Sequence, residues 1–356
     1  MTLRMLRALV LTSLAGLLLQ AQQSHVEGPV SGYVFDSSTP ALRPIMGVPG
    51  ASLFGAPLDF GFAISSAYAA PRQDAAFVVA ADGSLHVFGL DRGVATERSV
   101  SNLTSSPQSL VFSPSGTSAA LFAGGSIQVV TGLPNSPAVS GGVDLPSGTV
   151  PDSLALSDDG SVMLVSANKA VRLYGSFADM GKVMDTAGPA ILAFASGGHD
   201  AAIADPAGAG VVLFHDLTGA GNSQVLAATD DTISTSSALA FSADGTSLLL
   251  ASSAAGSVTA FNLAAGVRNA IACTCSPKTL VRMGNLFRLN DLGRDPVWLL
   301  DPRSSESSIV FVPALPDAGP HRDTISPERT GRRIPVAAGD PRSSAPRAVP
   351  VPALAQ

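Results

Sequence analysis

Charged residues are scarce in this sequence: 13% of its 356 residues are Asp, Glu, Lys or Arg, and the formal net charge is −6. Binding to nucleic acid through phosphate neutralisation needs clustered Lys and Arg, and no basic stripe interrupts the acidic body of this chain. Nucleic acid is therefore excluded as a partner. The low charge also argues against a helical bundle, whose outer faces are normally charged, whereas abundant Gly, Ala and Ser suit short strands and tight turns.

Cysteine is almost absent, since Cys273 and Cys275 in ACTCSP are the only two. Residues i and i+2 of a strand lie about 7 Å apart, at the edge of disulfide reach, but a bend before Pro277 would bring them closer. Two thiolates without a second pair or a nearby histidine fall short of the four ligands of a structural zinc site. We predict a local Cys273–Cys275 disulfide, with free thiols as the alternative.

Long apolar runs are also missing, because no stretch approaches the roughly 18 residues of a membrane-spanning helix. The longest N-terminal run, ALVLTSLAGLLL, follows Arg4 and Arg7 and precedes a small residue, Ala21. This pattern is typical of a secretory signal peptide, here residues 1–21, while a membrane anchor would need a longer run. We expect export to the periplasm or outside the cell, a short leader at 22–30, and no stable membrane insertion after cleavage.

A unit of two apolar strands around a polar, Gly-containing turn recurs along the chain. Its copies are SLVFSPSGTSAALF from Ser109, SLALSDDGSVMLVS from Ser153, ILAFASGGHDAAIA from Ile191 and ALAFSADGTSLLLA from Ala238. Asp-Gly and Ser-Gly tolerate the left-handed backbone angles of tight hairpins. The first strands end in Phe112, Leu156, Phe194 and Phe241, which are 44, 38 and 47 residues apart.

A third strand of alternating pattern follows each hairpin and repeats an aromatic residue at one register. The members are Phe88, Tyr174, Phe214 and Phe261, with Val130 as the exception. A fourth strand is predicted in the variable links that follow. Weaker copies of the unit lie upstream, with Tyr68 at the register of Phe112, and downstream, with Met283 near it and a loop inserted before Val297.

Six repeats of about 43 residues match the period of four-stranded propeller blades. Helical repeats would need apolar residues spaced i, i+3, i+4 and i+7 over ten or more residues, and a sandwich would not repeat itself so regularly. The sequence predicts an all-β fold, a β-propeller of six antiparallel four-stranded blades over residues 31–315. Seven blades are the alternative if the expanded region after Met283 hides further strands. Gly32–Asp36 is expected to close the ring by completing the last blade.

Two stretches, LAFSADGTSLLLASSAAGSVTAFNL and SLALSDDGSVMLVSANKAVRLYGSF, resemble blades of the YVTN-type and related WD-repeat-like propellers of exported bacterial proteins. The resemblance runs from Gly32 to Leu315 and implies architecture rather than activity. The YVTN tetrapeptide is absent, no Trp-Asp ends a strand, and Trp298 lacks the Gly-His partner of WD repeats. Because these motifs are absent, the resemblance is that of a divergent member of the YVTN-type and WD-repeat-like propellers.

The C-terminal segment 316–356 is rich in Pro, Arg, Ser and Ala and has no apolar period. Such a composition cannot bury enough surface to offset the entropy of ordering, so disorder is predicted. A polybasic contact through Arg329, Arg332 and Arg333 is the alternative, although acidic residues are interleaved with these arginines.

Candidate site residues are few, and each has a structural interpretation. Asp158–Asp159 and Asp230–Asp231 offer paired carboxylates to calcium, but Asp is also favoured in turns through its own backbone hydrogen bonds. His86, His199 and His215 lie in three different repeats without a shared register, and no H-E-x-x-H or G-x-S-x-G motif occurs. We therefore assign no catalytic, cofactor-binding or metal-ligating residue and expect no cofactor.

These observations favour a non-catalytic, monomeric, exported propeller that contacts a protein or small ligand on one rim. The alternative is a propeller enzyme of the lactonase kind, with a metal or acid site at the mouth of the channel. Whether acids and histidines from different blades converge on one channel mouth distinguishes the two hypotheses.

Overall fold

The structure is a computed structural model that describes residues 28–303 and 307–315. Within them the chain forms 27 β-strands in seven antiparallel sheets, each built from strands consecutive in the sequence. The sheets are the blades of a seven-bladed β-propeller. No helix in the described part of the chain is long and apolar enough to cross a membrane.

The strands of the first four blades are as follows. Blade 1 holds β1 (Val30–Asp36), β2 (Ala41–Val48) and β3 (Ala51–Phe54). Blade 2 holds β4 (Ile64–Ala69), β5 (Ala75–Ala80), β6 (Leu85–Asp91) and β7 (Val94–Arg98). Blade 3 holds β8 (Ser109–Phe112), β9 (Ser118–Ala123), β10 (Ser126–Thr131) and β11 (Ala138–Asp144). Blade 4 holds β12 (Ser153–Leu156), β13 (Val162–Ala167), β14 (Ala170–Gly175) and β15 (Ala178–Asp185).

Blade 1 has three strands instead of the predicted four, and the remaining three blades, like blades 2 to 4, have four. Blade 5 holds β16 (Ile191–Phe194), β17 (Ala201–Asp205), β18 (Gly210–Phe214) and β19 (Ser223–Ala227). Blade 6 holds β20 (Ser236–Phe241), β21 (Ser247–Ser252), β22 (Ser257–Asn262) and β23 (Val267–Ala272). Blade 7 holds β24 (Val281–Met283), β25 (Leu286–Arg288), β26 (Val297–Asp301) and β27 (Ser308–Val312).

The two apolar landmarks of the repeat lie in one row in each of blades 3 to 6. In blade 6, Phe241 pairs with Leu248, and Leu248 pairs with Phe261 on the next strand. The same row runs Leu156, Met163, Tyr174 in blade 4 and Phe112, Ala119, Val130 in blade 3. The register repeats because side chains in one row of a sheet share a face and must fill the same space between blades. The fourth strands β7, β11, β15, β19 and β23 fall in the predicted variable links.

One register assignment was wrong. Tyr68 pairs with Phe77, while its neighbour Ala69 pairs with Ala76 and so takes the place that Phe112 has in blade 3. Tyr68 is therefore shifted by one residue, which turns a strand side chain to the other face. The ring is 38% exposed, whereas the corresponding Leu156, Phe194 and Phe241 are buried.

The prediction of six blades was wrong, because the structure has seven. The additional blade is blade 1 at the N-terminal end, and the region after Met283, where the alternative had placed further strands, belongs to a single four-stranded blade. Gly32–Asp36 lies in β1, which pairs with β2 in a blade of its own and does not complete blade 7. Its hairpin turn, residues 37–40, contains no glycine, so it did not match the Gly-containing turn that defined the repeat. The Asp36 carboxylate holds the turn instead by accepting hydrogen bonds from Ser38, Thr39 and Arg43.

Seven apolar clusters form the core, each between two neighbouring blades. The cluster between blades 7 and 1 contains Val34, Ile45, Met283, Leu299 and Val312, all buried. Side-chain packing therefore closes the ring, in place of a shared strand. The described blades lie in a unit that ends at Leu315. The predicted signal peptide, most of the leader and the C-terminal segment lie outside the described residues.

Candidate functional site

One mouth of the central channel is formed by the turns that join the first and second strands of the blades. We call this surface the turn face; its turns are residues 37–40, 70–74, 113–117, 157–161, 195–200, 242–246 and 284–285. Turns of different blades are hydrogen bonded here. Gly284 N in blade 7 donates to Pro71 O in blade 2 at 2.6 Å. The turn face is therefore a connected surface in which residues distant in the sequence meet.

Asp158 connects three successive blades at the turn face. Its carboxylate accepts a hydrogen bond from Ser115 N in blade 3 at 2.6 Å and another from Gly197 N in blade 5 at 2.8 Å. Its carbonyl oxygen accepts from the hydroxyls of Thr117 and Ser118. Both carboxylate oxygens have backbone donors, so Asp158 fixes the spacing of the turns.

Arg282 reaches across the channel at the same face. It lies in β24 of blade 7, and its Nη1 donates to Pro114 O in blade 3 at 2.9 Å and to Ser196 Oγ in blade 5 at 3.2 Å. Burial lowers the pKa of the guanidinium, and the negative charge of Asp158 opposes this shift. The three residues that face Arg282 occupy the second position of the turn in their blades; they are Pro114, Asp158 and Ser196. Arg282 therefore faces equivalent positions in blades 3, 4 and 5.

Asp159 and His199 form a pair beside Asp158. His199 Nε2 lies 3.4 Å from Asp159 Oδ2, and its Nδ1 lies 2.9 Å from Thr218 Oγ1. Burial raises the pKa of Asp159, but hydrogen bonds from Ser157, Ser161 and His199 outweigh it and leave the pKa well below its usual range. With Gly197 and Gly198, these residues line a pocket of about 300 Å³. The carboxylate is held ionised next to an imidazole.

Asp159 also has a purely structural counterpart in blade 6. It accepts hydrogen bonds from Ser157 Oγ, Ser161 N and Ser161 Oγ, and Asp244 accepts the matching set from Ser242 Oγ, Thr246 N and Thr246 Oγ1. The turn interpretation of Asp159 is therefore supported. Asp158 is different, because Ala243 stands at its position in blade 6.

The other sequence candidates are not brought together. Asp230 binds Arg268 Nη1 at 2.6 Å between blades 5 and 6, His86 contacts Glu97 at 2.7 Å in blade 2, and His215 contacts Asp200 at 3.0 Å in blade 5. Among residues 28–303 and 307–315, no three His, Cys, Asp or Glu side chains are placed to hold one metal ion.

Cys273 and Cys275 meet where blade 6 ends. Their Cα atoms are 5.0 Å apart, and the two sulfur atoms lie within bonding distance. The bend that the sequence required is present, because β23 ends at Ala272 and the chain then turns before Pro277. The geometry accommodates the predicted disulfide.

The central channel is a cavity of about 640 Å³ lined mainly by apolar side chains of the inner strands. Val111, Ala155, Ala193 and Ala240 supply the penultimate residues of β8, β12, β16 and β20 to its wall. Among the described residues, the cationic side chains that line it are Arg282 and Arg288. Neither arginine was among the candidates indicated by the sequence. One sequence feature pointed to Arg282. It is a charged residue in an inner strand, at a position where blades 3 to 6 carry a small or β-branched apolar residue.

The fold has known counterparts at low sequence identity. A functionally unknown protein from Desulfotomaculum acetoxidans DSM 771 matches with a TM-score of 0.53 and 11% identity, over 80% of this chain and 100% of that chain. A candidate 6-phosphogluconolactonase from Bacteroides fragilis NCTC 9343 matches with a TM-score of 0.54 and 15% identity, over 80% of this chain and 92% of that chain. Such likeness shows a shared fold and does not carry function with it. A scan of protein-family models and a comparison with curated proteins gave no match.

Proposed function

We propose that this protein is an exported, non-catalytic binding module that takes a small apolar ligand into its central channel. The observation that carries the proposal is the apolar cavity of about 640 Å³, bridged at the turn face by Arg282 and Asp158. Small-molecule sites are typically concave, mostly apolar and about 300–1,000 Å³ in volume. Arg282 and Asp158 are engaged in hydrogen bonds between blades at the channel mouth, which suits a rigid binding scaffold.

A neutral fluorescent probe tests the channel directly. N-phenyl-1-naphthylamine should bind the full chain saturably with a rise in fluorescence. Ala240→Phe, which fills the channel, should abolish the rise, whereas Ala138→Phe on the exposed outer strand β11 should leave it unchanged. Thermal unfolding establishes that both variants are folded. Absence of saturable binding to the wild-type protein would rule out the proposed channel site.

Export and family membership belong to the same proposal. The basic and apolar segment 1–21 supports secretion, and the blade sequences around Asp244 and Asp159 support a divergent YVTN-type or WD-repeat-like propeller. We expect a mature chain beginning after Ala21 in the periplasmic or extracellular fraction, monomeric and without nucleic acid. Fractionation, N-terminal sequencing and light scattering test these points. A chain that retains residues 1–21 in the membrane fraction would contradict cleavage.

A lactonase-like hydrolase is the second candidate. It is favoured by the Asp159–His199 pair in the pocket beside the channel mouth, because a carboxylate that orients an imidazole is a recurrent general-base arrangement. Steady-state hydrolysis of a panel of sugar and aliphatic lactones tests it. Turnover that is lost in His199→Ala but retained in His215→Ala would replace the binding-module proposal with the enzyme.

A further inference from the structure

Arg288 is a largely buried cation whose side chain makes one hydrogen bond within the described part of the chain. It ends β25, its side chain is 13% exposed, and it lines the channel cavity. Nη2 donates to Asp291 Oδ1 at 3.0 Å, while Nε is buried without a hydrogen-bond partner in the described part of the chain. Such an arrangement is unusual, because buried charged groups are normally paired and hydrogen bonded.

The carboxylate of Asp291 balances the positive charge of Arg288 only in part. Its side chain is 76% exposed, so water weakens the attraction between the two groups. Burial lowers the pKa of the Arg288 guanidinium, and Asp291 opposes the shift. Guanidinium presents five donors in a planar fork that matches a carboxylate with two parallel hydrogen bonds. A carboxylate arriving from the cavity would therefore give the terminal Nη atoms of the guanidinium a second anionic partner beside Asp291.

The surroundings of Arg288 restrict the rest of the ligand. Phe35, Leu280 and Phe287 line the same cavity, together with the inner strands of the other blades. The second arginine, Arg282, already donates to Pro114 and Ser196. The cavity thus presents one incompletely paired guanidinium, that of Arg288, next to an apolar wall. This arrangement suits a ligand with a single negative charge and an apolar chain better than a multiply charged phosphate.

We propose that the channel binds an amphipathic monocarboxylate, with the carboxylate on Arg288 and the apolar chain along the channel. This inference rests on the proposed function, that the channel is a ligand site, and adds the chemical class of the ligand and the residue that recognises it.

Decanoate and decanol have the same chain length and differ in charge. Comparing them separates the proposal that the channel binds apolar ligands from the proposal that Arg288 recognises a carboxylate. Displacement of N-phenyl-1-naphthylamine by each compound gives its affinity for the full chain. Decanoate should bind at least about tenfold more tightly than decanol, since a hydrogen-bonded charged group typically contributes that much. Arg288→Met should remove the preference, so that decanoate no longer binds more tightly than decanol. Arg268→Met, which removes an exposed arginine of β23, is the matched control and should retain it.

The outcomes are distinguishable. If neither compound displaces the probe, or the probe itself does not bind, the channel site fails. If both bind equally, or Arg288→Met keeps the preference, the site survives and the carboxylate inference is overturned. Asp291→Asn provides a test that keeps Arg288 in place. Removing the competing anion should tighten decanoate binding without affecting decanol, and unchanged or weaker decanoate binding would also overturn the inference.

Discussion

Replacing Asp158 by alanine should uncouple the turns of blades 3, 4 and 5. The substitution gives turn 157–161 the Ser-Ala-Asp-Gly sequence that blade 6 already has, so the hairpin itself remains favourable. It deletes the carboxylate that accepts from Ser115 N and Gly197 N. It also removes the negative charge that Arg282 faces.

The expected cost follows from these contacts. A hydrogen bond to a charged group contributes about 1.5–3 kcal/mol when its partner is left unsatisfied. Asp158 makes two such bonds, but it is half-buried and Gly197 is exposed, so water replaces part of the loss. We expect the free energy of unfolding to fall by about 2–4 kcal/mol. The control is Asp244→Ala, which removes bonds within a single turn. Because Asp244 is exposed and water replaces most of the loss, we expect a cost of about 1 kcal/mol.

Urea unfolding measures the global effect, and amide hydrogen exchange at Ser115 and Gly197 measures the local one. Exchange at both amides should accelerate in Asp158→Ala and stay unchanged in Asp244→Ala. The reasoning would be refuted if Asp158→Ala unfolded within about 0.5 kcal/mol of the wild type with both amides still protected. It would also be refuted if Asp244→Ala were the more costly of the two.

Three further predictions concern the ring seam, a buried acid and the cysteines. Leu299→Ala in the cluster between blades 7 and 1 should lower the free energy of unfolding by about 2–5 kcal/mol. The control Leu53→Ala, at a side chain that is 63% exposed, should lower it by less than about 0.5 kcal/mol. Equal costs of the two substitutions in urea unfolding would contradict closure of the ring by packing. Burial raises the pKa of Asp36, but bonds from Ser38, Thr39 and Arg43 outweigh it and hold the pKa below its usual range. Its stabilisation is therefore complete above the unfolded pKa of about 3.9 and is lost as pH falls. Asp36→Asn should be destabilised most at pH 7 and approach wild type in acid; a gap in urea midpoint that is constant from pH 7 to 3 would contradict this. Thiol labelling of the unreduced, unfolded chain should find no free thiol and two after reduction; labelling without reductant would contradict the Cys273–Cys275 bridge.

The repeat pattern predicted the architecture because its landmarks report local chemistry. Asp244 and Gly245 form a hairpin turn through bonds within a few residues, and Gly245 takes a φ of 70° that favours glycine. Phe241 and Phe261 lie in one row of the resulting sheet. Blade 1 escaped detection because Asp36, rather than a glycine, stabilises its turn. That difference changed the blade number from six to seven.

The candidate site was predicted only in part. Asp158, Asp159 and His199 were all considered as candidates from the sequence but not assigned to a site, and the preference of Asp for turns indicated why Asp159 is structural. It did not indicate that Asp158 bridges neighbouring blades, because its partners lie 43 and 39 residues away. Arg282 and Arg288 stand in the most divergent copy of the repeat, where comparison with the other blades gives the least information.

The sequence by itself determined the strand pattern, the turns and the apolar rows, since these depend on residues close together in the chain. Only the tertiary structure decided the number of blades, the closure of the ring and the contents of the channel. Arg282 contacts Pro114 across 168 residues of sequence, and Arg288 lines the channel together with side chains from the other blades. Such contacts arise because seven apolar interfaces bring the inner strands around one axis, which no local pattern specifies.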